Sequence, residues 1–350
     1  MTGSLNEVPP GTSQMDCNAS ANHLKTLPQD RFSGMASIHS HVQATGPQIR
    51  PETRPSNGFD RRTVTSSDQH QQMKSRQRGD HSRPYLLLAD KIAVAPEVFG
   101  FRKGQTGGHT ARSMMLSELE LVCRYTPTEA AREYYDRAIL DQNILNKSTE
   151  SSRVKSLRHL RELYTLDPEF TLFRVLRRLA ALDSASLPLL GLTCTFCRDA
   201  QLRHSYDLIK NLKPGEVLLR ETVENHLESG FPGRFSAAMK KSLAQNVNTT
   251  WTFAGHLEGR GKKVRRLPEC RALAAAYAIL AGNLLGFRGR LLVESVFGEL
   301  VSPNPAVLLA QLPQASLRGL INFKHAGGVM ELDCEPLLTH IERSLCHVTH

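Results

Sequence analysis

The spacing of apolar residues divides the chain into two unequal parts. Over residues 1–84 the chain consists mostly of Ser, Thr, Gln, Asn, His, Pro and Arg, and its few apolar positions follow neither a period of 2 nor one of 3.6. Such a segment buries too little apolar surface to offset the entropy lost on ordering. We therefore predict a disordered extension over 1–84, followed by a transitional segment over 85–112 and a folded region from residue 113 onward.

From Ser113 onward, apolar residues recur at helical spacing, and short breaks rich in proline or glycine separate the runs. These runs predict helices over 113–125, 126–142, 149–164, 170–182, 196–211, 216–228, 236–251 and 272–285. The last run, ALAAAYAILAGNLL, is shorter than the ~20 residues needed to cross a bilayer, so we expect a buried helix and no membrane partner. We place an N-terminal helical domain at 113–230, a winged-helix-like region at 231–338 and a tail at 339–350.

Two stretches depart from the helical pattern. Residues 252–264 contain Gly259 and Gly261, and residues 321–333 contain Gly327 and Gly328 between β-prone runs, so both predict β-hairpins. A helical core followed by a hairpin, occurring twice, is the outline of a winged helix-turn-helix. The predicted fold class is therefore mainly α, with helix-turn-helix or winged-helix domains and small β-hairpin wings.

The predicted helix 236–251 has two chemically different faces. At 100° per residue, an apolar stripe formed by Phe235, Met239, Leu243 and Val247 points inward, and Lys241, Gln245 and Asn248 point outward. Gln and Asn can make paired hydrogen bonds to adenine, and Lys reaches guanine or phosphate. The outward face is either a DNA-reading surface or the solvated face of a structural helix.

A basic cluster surrounds the first predicted hairpin. Between Lys240 and Arg266, seven lysines and arginines accompany a single acid, Glu258. In a wing these cations would hold the phosphate backbone beside a groove. The predicted backbone-binding residues are Lys240, Arg260, Lys262, Lys263, Arg265 and Arg266.

The helix 149–164 is a second candidate for DNA contact. Val154, Leu157, Leu160 and Tyr164 mark its inner face, while Lys155 and Arg158 point away from it. No equally basic hairpin follows this helix. A role in DNA binding and a purely structural role both remain open at this point.

Composition restricts the partners and the chemistry. The formal net charge of +10 favours polyanions, and seven scattered cysteines in a chain without a secretory leader favour reduced thiols in the cytoplasm. The chain contains no GxSxG, GxxxxGK[ST] or HExxH motif and no GxGxxG motif with an acidic partner, and its one CxxC motif, Cys194 to Cys197, stands alone. We therefore predict a protein that is not an enzyme and has no cofactor or metal.

Four stretches together resemble a known family. SMMLSELELVCRY, STESSRVKSLRHLRELY, AAMKKSLAQNVNTTWTFAGHLEG and KHAGGVMEL, in that order and at these separations, resemble the BrxA family of BREX phage-defence systems. The likeness covers residues 105–338, and the long extension and the strength of the basic run depart from it. The resemblance implies a helical, non-enzymatic protein that binds double-stranded DNA and acts alongside the BREX methyltransferase, ATPase and phosphatase-like components.

The leading hypothesis is a DNA-binding component of a phage-defence system. The alternative is a scaffold or adaptor that binds structured RNA, as the likeness of family members to NusB implies, or other BREX proteins. The same basic surface would then contact stem phosphates or acidic protein partners.

Overall fold

The computed structural model of the protein describes residues 95–347. The predicted extension over 1–84, the first part of the transitional segment and the last three residues of the tail therefore lie outside the described residues. Residues 95–347 are mainly helical and include two small antiparallel sheets, as the sequence predicted. None of the helices in this range is long and apolar enough to cross a membrane.

The α-helices of the described region are numbered in chain order, and short 3-10 turns lie at Pro96–Phe99, Gly108–Thr110, Ser184–Ser186 and Glu335–Leu337. The helices are α1 (Leu116–Tyr125), α2 (Arg132–Leu140), α3 (Glu150–Tyr164), α4 (Thr171–Leu182), α5 (Leu187–Arg198), α6 (Ala200–Asn211), α7 (Arg220–Gly230), α8 (Ala237–Phe253), α9 (Ala272–Leu284), α10 (Arg290–Val293), α11 (Val296–Val301), α12 (Pro305–Leu317) and α13 (His340–His347).

Helix α9 is the centre of the hydrophobic core. Every residue of α9 is buried, and the helix packs against α5, α11 and α12. A helix that is apolar on all sides needs neighbours all around it, which explains this position. The prediction of a buried helix here is confirmed. The same core contains residues from Phe99 to Cys346.

A three-stranded antiparallel sheet has one strand directly before α7 and two strands after α8. Its strands are β1 (Val217–Leu218), β2 (Leu257–Glu258) and β3 (Lys263–Arg265), in the spatial order β1-β3-β2. Val264 of β3 lies opposite Val217 on one side and Glu258 on the other. The chain therefore runs α6, β1, α7, α8, β2, β3, and β2 and β3 form the first predicted hairpin.

The second predicted hairpin is also present. Strands β4 (Asn322–Ala326) and β5 (Val329–Asp333) pair antiparallel along their whole length. Gly327 and Gly328 form the turn, both with positive φ, which glycine adopts without steric cost. This hairpin follows α12 directly.

Three predicted helices have clearly different boundaries in the structure. The predicted helix 126–142 is shorter, because residues 126–131 form a turn and α2 begins only at Arg132. The predicted helix 196–211 consists of α5 and α6, which meet at Asp199, where the side chain caps α6 by accepting a hydrogen bond from the Leu202 N–H. Pro188 lies in the first turn of α5, where a missing N–H costs no hydrogen bond. The predicted helix 216–228 begins later, because its first residues form β1.

Candidate nucleic-acid interface

Helix α8 is fixed at its start and along its buried face. The Ser236 Oγ accepts a hydrogen bond from the Met239 N–H at 3.3 Å and caps the helix. Leu243, Val247 and Trp251 are buried in the core, and the Trp251 Nε1–H donates to the Ser205 Oγ on α6 at 2.9 Å. The opposite side of α8 is thereby held toward solvent.

The exposed side of α8 presents two of the three predicted readout residues. Lys241 and Gln245 are both exposed and lie one turn apart. Within residues 95–347 no carboxylate pairs with Lys241, so its full charge is available to a ligand. An exposed amide and an unpaired ammonium on one helical face match the donors that read base edges and phosphates.

Two assignments on α8 were wrong. Asn248 was expected to face outward but is buried, with 5% of its surface exposed, because it shares a stripe with Ala244 and Trp251 at spacings of four and three residues. Met239 was expected to point inward but is 47% exposed. Residues that are four apart differ by about 40° in direction around the helix axis. Met239 lies two such steps before Val247, so its side chain points about 80° away from the centre of the buried face.

The turn between β2 and β3 presents two more unpaired cations. Arg260 and Lys262 are exposed, and no ion pair in the described part of the chain involves either. Gly259 starts the turn with φ +93°, and a Cβ there would lie 2.2 Å from the Lys262 carbonyl oxygen. Lys263 is half-buried, and its Nζ donates to the Gly259 carbonyl at 2.6 Å. The turn geometry therefore requires glycine and directs Arg260 and Lys262 to solvent.

Arg265 does not belong to the exposed set, contrary to the prediction. Only 2% of its surface is exposed, and its Nη1 donates to the His256 carbonyl and the His256 Nδ1, each at 3.1 Å. Burial lowers the pKa of this guanidinium. Burial and the neighbouring Arg265 also lower the pKa of His256 to about 3, so this imidazole is neutral and accepts the hydrogen bond. Arg265 stabilises the base of the hairpin and cannot reach a phosphate.

Lys240 and Arg266 differ from the unpaired cations of the turn, because each has an acidic partner. The Lys240 Nζ lies 3.1 Å from Glu228, and the Arg266 Nη2 lies 2.6 Å from Glu258. The hydrogen bond from Arg266 lowers the pKa of Glu258 and raises that of Arg266. A phosphate would have to compete with these carboxylates, so Lys241, Arg260 and Lys262 are the stronger candidates for backbone contact.

Lys155 and Arg158 lie on the exposed side of α3, as predicted. The helix begins with a capping box in which the Thr149 and Ser152 side chains each bond to the other's backbone N–H. Leu157, Leu160 and Tyr164 are buried as expected. Val154 was placed on the inner face but is 50% exposed. Residues spaced by three drift by about 60° per step, so Val154 lies about 120° around the helix from Leu160 and outside the buried face.

A buried network of three polar side chains connects α8 to the segment before α1, and no sequence motif indicated it. The His109 ring lies 2.8 Å from the Asp199 Oδ2 through Nδ1 and 2.7 Å from the Thr250 Oγ1 through Nε2. The set resembles a hydrolytic triad, but all three side chains are almost fully buried and the Met114 N–H already donates to the Thr250 hydroxyl at 2.9 Å. No substrate can reach this hydroxyl, so the three side chains serve to link α8 to the segment before α1.

Other groups with chemical potential are buried as well. Cys194 and Cys197 lie inside α5, and burial raises the pKa of both thiols. No group of three His, Cys, Asp or Glu side chains between residues 95 and 347 is placed to hold a metal ion.

A comparison with protein-family models found no match to this chain. A comparison with curated proteins also found no match.

Proposed function

We propose that the protein is a non-enzymatic, cytoplasmic protein that binds double-stranded DNA through a winged helix formed by α6, β1, α7, α8, β2 and β3. The order helix, strand, helix, helix, strand, strand and the spatial order β1-β3-β2 are those of winged-helix domains. In this arrangement α8 is the recognition helix and the β2–β3 turn is the wing. The topology supports the assignment independently of any single side chain.

The observation that carries the proposal is the set of unpaired cations on α8 and the wing. Lys241, Arg260 and Lys262 are exposed without acidic partners in the described region, and Gln245 lies one turn from Lys241. An α-helix fits the major groove of B-DNA, where Gln can bond to adenine while the wing contacts the adjacent phosphates. The protein thus combines backbone contact with the means to read sequence.

The biological setting follows from the resemblance to the BrxA family. The four stretches contain α1, α3, α8 with β2, and most of β4 and β5. We therefore place the protein in a BREX phage-defence system, where its protein partners would be the methyltransferase, the ATPase and the phosphatase-like component.

The test is a duplex-binding titration across salt concentration. Replacing Lys241, Arg260 and Lys262 by Ala should flatten the plot of log affinity against log salt by about 3, because each lost phosphate contact contributes about 0.9 to the slope. The control replaces three exposed cations between α10 and β4, which are Arg290, Arg318 and Lys324, and this variant should keep the wild-type slope. An identical slope for the two triple variants would refute the interface.

A second candidate function is a scaffold for structured RNA or for proteins. The outer face of α12 favours a protein contact, since Val307 is 44% exposed, Leu317 is 81% exposed and the helix carries no charge. Duplex RNA has a major groove too deep and narrow for side chains to read, so insertion of α8 requires DNA to compete better than RNA of the same length. Equal competition by both duplexes would favour the scaffold.

A further inference from the structure

A second group of unpaired cations surrounds a cavity beside the start of α3. The cavity has a volume of about 500 Å³, and its lining includes Arg112, Lys147, Lys155 and Glu118 together with several hydroxyl side chains. The hydroxyls belong to Thr149, Ser151, Ser152 and Ser156. Met115 is the one apolar side chain of the lining, and there is no aromatic residue, so the cavity is suited to a small polar anion and not to a base or an apolar group.

The charge of the cavity is unbalanced. The Lys147 Nζ is neutralised by the Glu118 carboxylate at 2.9 Å. Arg112 and Lys155 are exposed, and no acid in the described residues pairs with either. Asn143 holds the Lys147 backbone through two hydrogen bonds, of 2.8 and 3.0 Å, so this wall is fixed before any ligand arrives. Two free cations beside a fixed, hydroxyl-lined wall form a suitable site for a phosphate group.

The segment that carries Arg112 contacts both α8 and α3. The His109 carbonyl accepts a hydrogen bond from the Asn246 Nδ2 on α8 at 2.9 Å, and the 3-10 turn Gly108–Thr110 packs against α3. The Arg112 N–H donates to the Gly108 carbonyl at 3.0 Å, so Arg112 belongs to the same turn. Three residues span at most about 11 Å, which limits the separation of the Arg112 and His109 Cα atoms.

Arg158 extends this group along α3. It lies three residues after Lys155 on the exposed side of the helix. After burial, the nearby charges of Arg158 and Arg112 are the main causes that lower the pKa of His159, so both guanidiniums lie near this ring. Arg112, Lys155 and Arg158 thus form one cationic group, hereafter the α3 group.

We propose that the α3 group binds a backbone phosphate of the same duplex whose major groove takes α8. This inference rests on the proposed function, because it extends the footprint of that interface from the wing and α8 across the 108–112 turn to α3. Arg provides paired donors to phosphate oxygens and Lys a point charge, and neither reads sequence in this role. The contact fixes the register of α8 on the duplex.

The deciding experiment measures duplex affinity across salt for the full chain carrying Arg112→Ala and Lys155→Ala. The slope should fall by about 2, so that the ratio of wild-type to variant affinity changes about tenfold between about 50 and 200 mM salt. The charge-conserving variant, Arg112→Lys with Lys155→Arg, should keep the wild-type slope. Arg318→Ala with Lys324→Ala is the control for equal loss of charge elsewhere, and circular dichroism checks that each variant is folded.

The possible outcomes separate the two proposals. If the α8 and wing variant loses slope while Arg112→Ala with Lys155→Ala matches the control, the α3 contact is wrong and the DNA-binding proposal stands. If neither variant differs from its control, the DNA-binding proposal itself fails. Inorganic phosphate that raises the melting temperature only when Arg112 and Lys155 are present, with no change of the DNA slope, would show a free-phosphate site and overturn the inference.

Discussion

The molecule contains two helix–hairpin regions with similar backbones and different surfaces. In the basic region, residues 200–265, α8 is followed by the β2–β3 hairpin, and in the neutral region, residues 272–333, α12 is followed by the β4–β5 hairpin. Each hairpin is antiparallel, and each turn contains glycine with positive φ. The two helices begin with a side-chain cap and bury one face in the same core.

The exposed faces of α8 and α12 differ in charge. Helix α8 presents Lys241 and Gln245, and the β2–β3 turn adds Arg260 and Lys262, whereas α12 carries no charged residue and exposes Leu317. In the second hairpin the Lys324 Nζ lies 3.3 Å from the Glu331 carboxylate directly opposite, so the charge is balanced within the strand pair. Two regions with similar backbones thus present side chains of different chemistry to solvent.

Charge reversal gives the largest expected effect on this comparison. Lys241→Glu with Lys262→Glu should weaken duplex binding on the order of 100-fold, because each reversal removes a phosphate contact and adds repulsion. Arg318→Glu with Lys324→Glu changes the net charge equally in the neutral region and should shift affinity by no more than about threefold. Fluorescence anisotropy at one low salt concentration measures both. Equal losses would mean that net charge alone drives binding, and the distinction between the two regions would fail.

Most of the basic region was predictable from local patterns. The cap at Ser236, the helix after it, the glycine turn and the exposure of Lys241, Arg260 and Lys262 all follow from local chemistry and periodicity. The second hairpin was predicted on the same grounds and is confirmed. Strand β1 leaves no comparable signal in the sequence, because it has two residues and pairs with β3, which lies far along the chain and not across a local turn.

The errors arose where tertiary contacts decide the outcome. Asn248 and Arg265 are polar residues in a polar stretch, yet both are buried because neighbouring elements cover their side of the helix or strand. Arg265 finds its partners at His256, nine residues earlier, across the hairpin. Arg112 was overlooked for the opposite reason, since a segment without periodicity gives no information about which helices it will lie beside. Only the folded chain shows that residues 108–112 contact both α3 and α8.

Acid sensitivity is expected to centre on His256, which connects the two regions by donating from Nε2 to the Leu300 carbonyl at 2.9 Å. Burial and Arg265 lower its pKa to about 3, against an ordinary value near 6.5. Between these values the unfolded chain binds a proton that the folded chain does not, so the free energy of unfolding falls as the pH falls. From pH 6.5 to 5 the loss from this residue is about 2 kcal/mol.

Urea unfolding at several pH values measures this dependence. His256→Gln is expected to be less stable at neutral pH but to lose less stability on acidification than the wild type. His325→Gln, a change at an exposed position of β4, serves as the control and should follow the wild-type pH dependence. A His256→Gln variant with the full wild-type acid slope would assign the sensitivity to another group and would remove His256 as the acid-labile connection between the regions.

The smallest predicted effect concerns the two helix caps. The Ser236 Oγ accepts from the Met239 N–H in the basic region, and the Asn304 Oδ1 accepts from the Ala306 N–H in the neutral region. Ser236→Ala and Asn304→Ala should each lower the free energy of unfolding by about 1 kcal/mol in urea titrations, and Ser242→Ala, an exposed serine without a capping role, by less than about 0.5 kcal/mol. Neither cap variant removes a charge, so both should keep the wild-type salt slope of DNA binding. If Ser236→Ala lowered both the free energy of unfolding and the salt slope of DNA binding, the orientation of α8 would govern the phosphate contacts together with its charges. The basic region would then need a firmly capped helix for binding, in addition to its exposed cations.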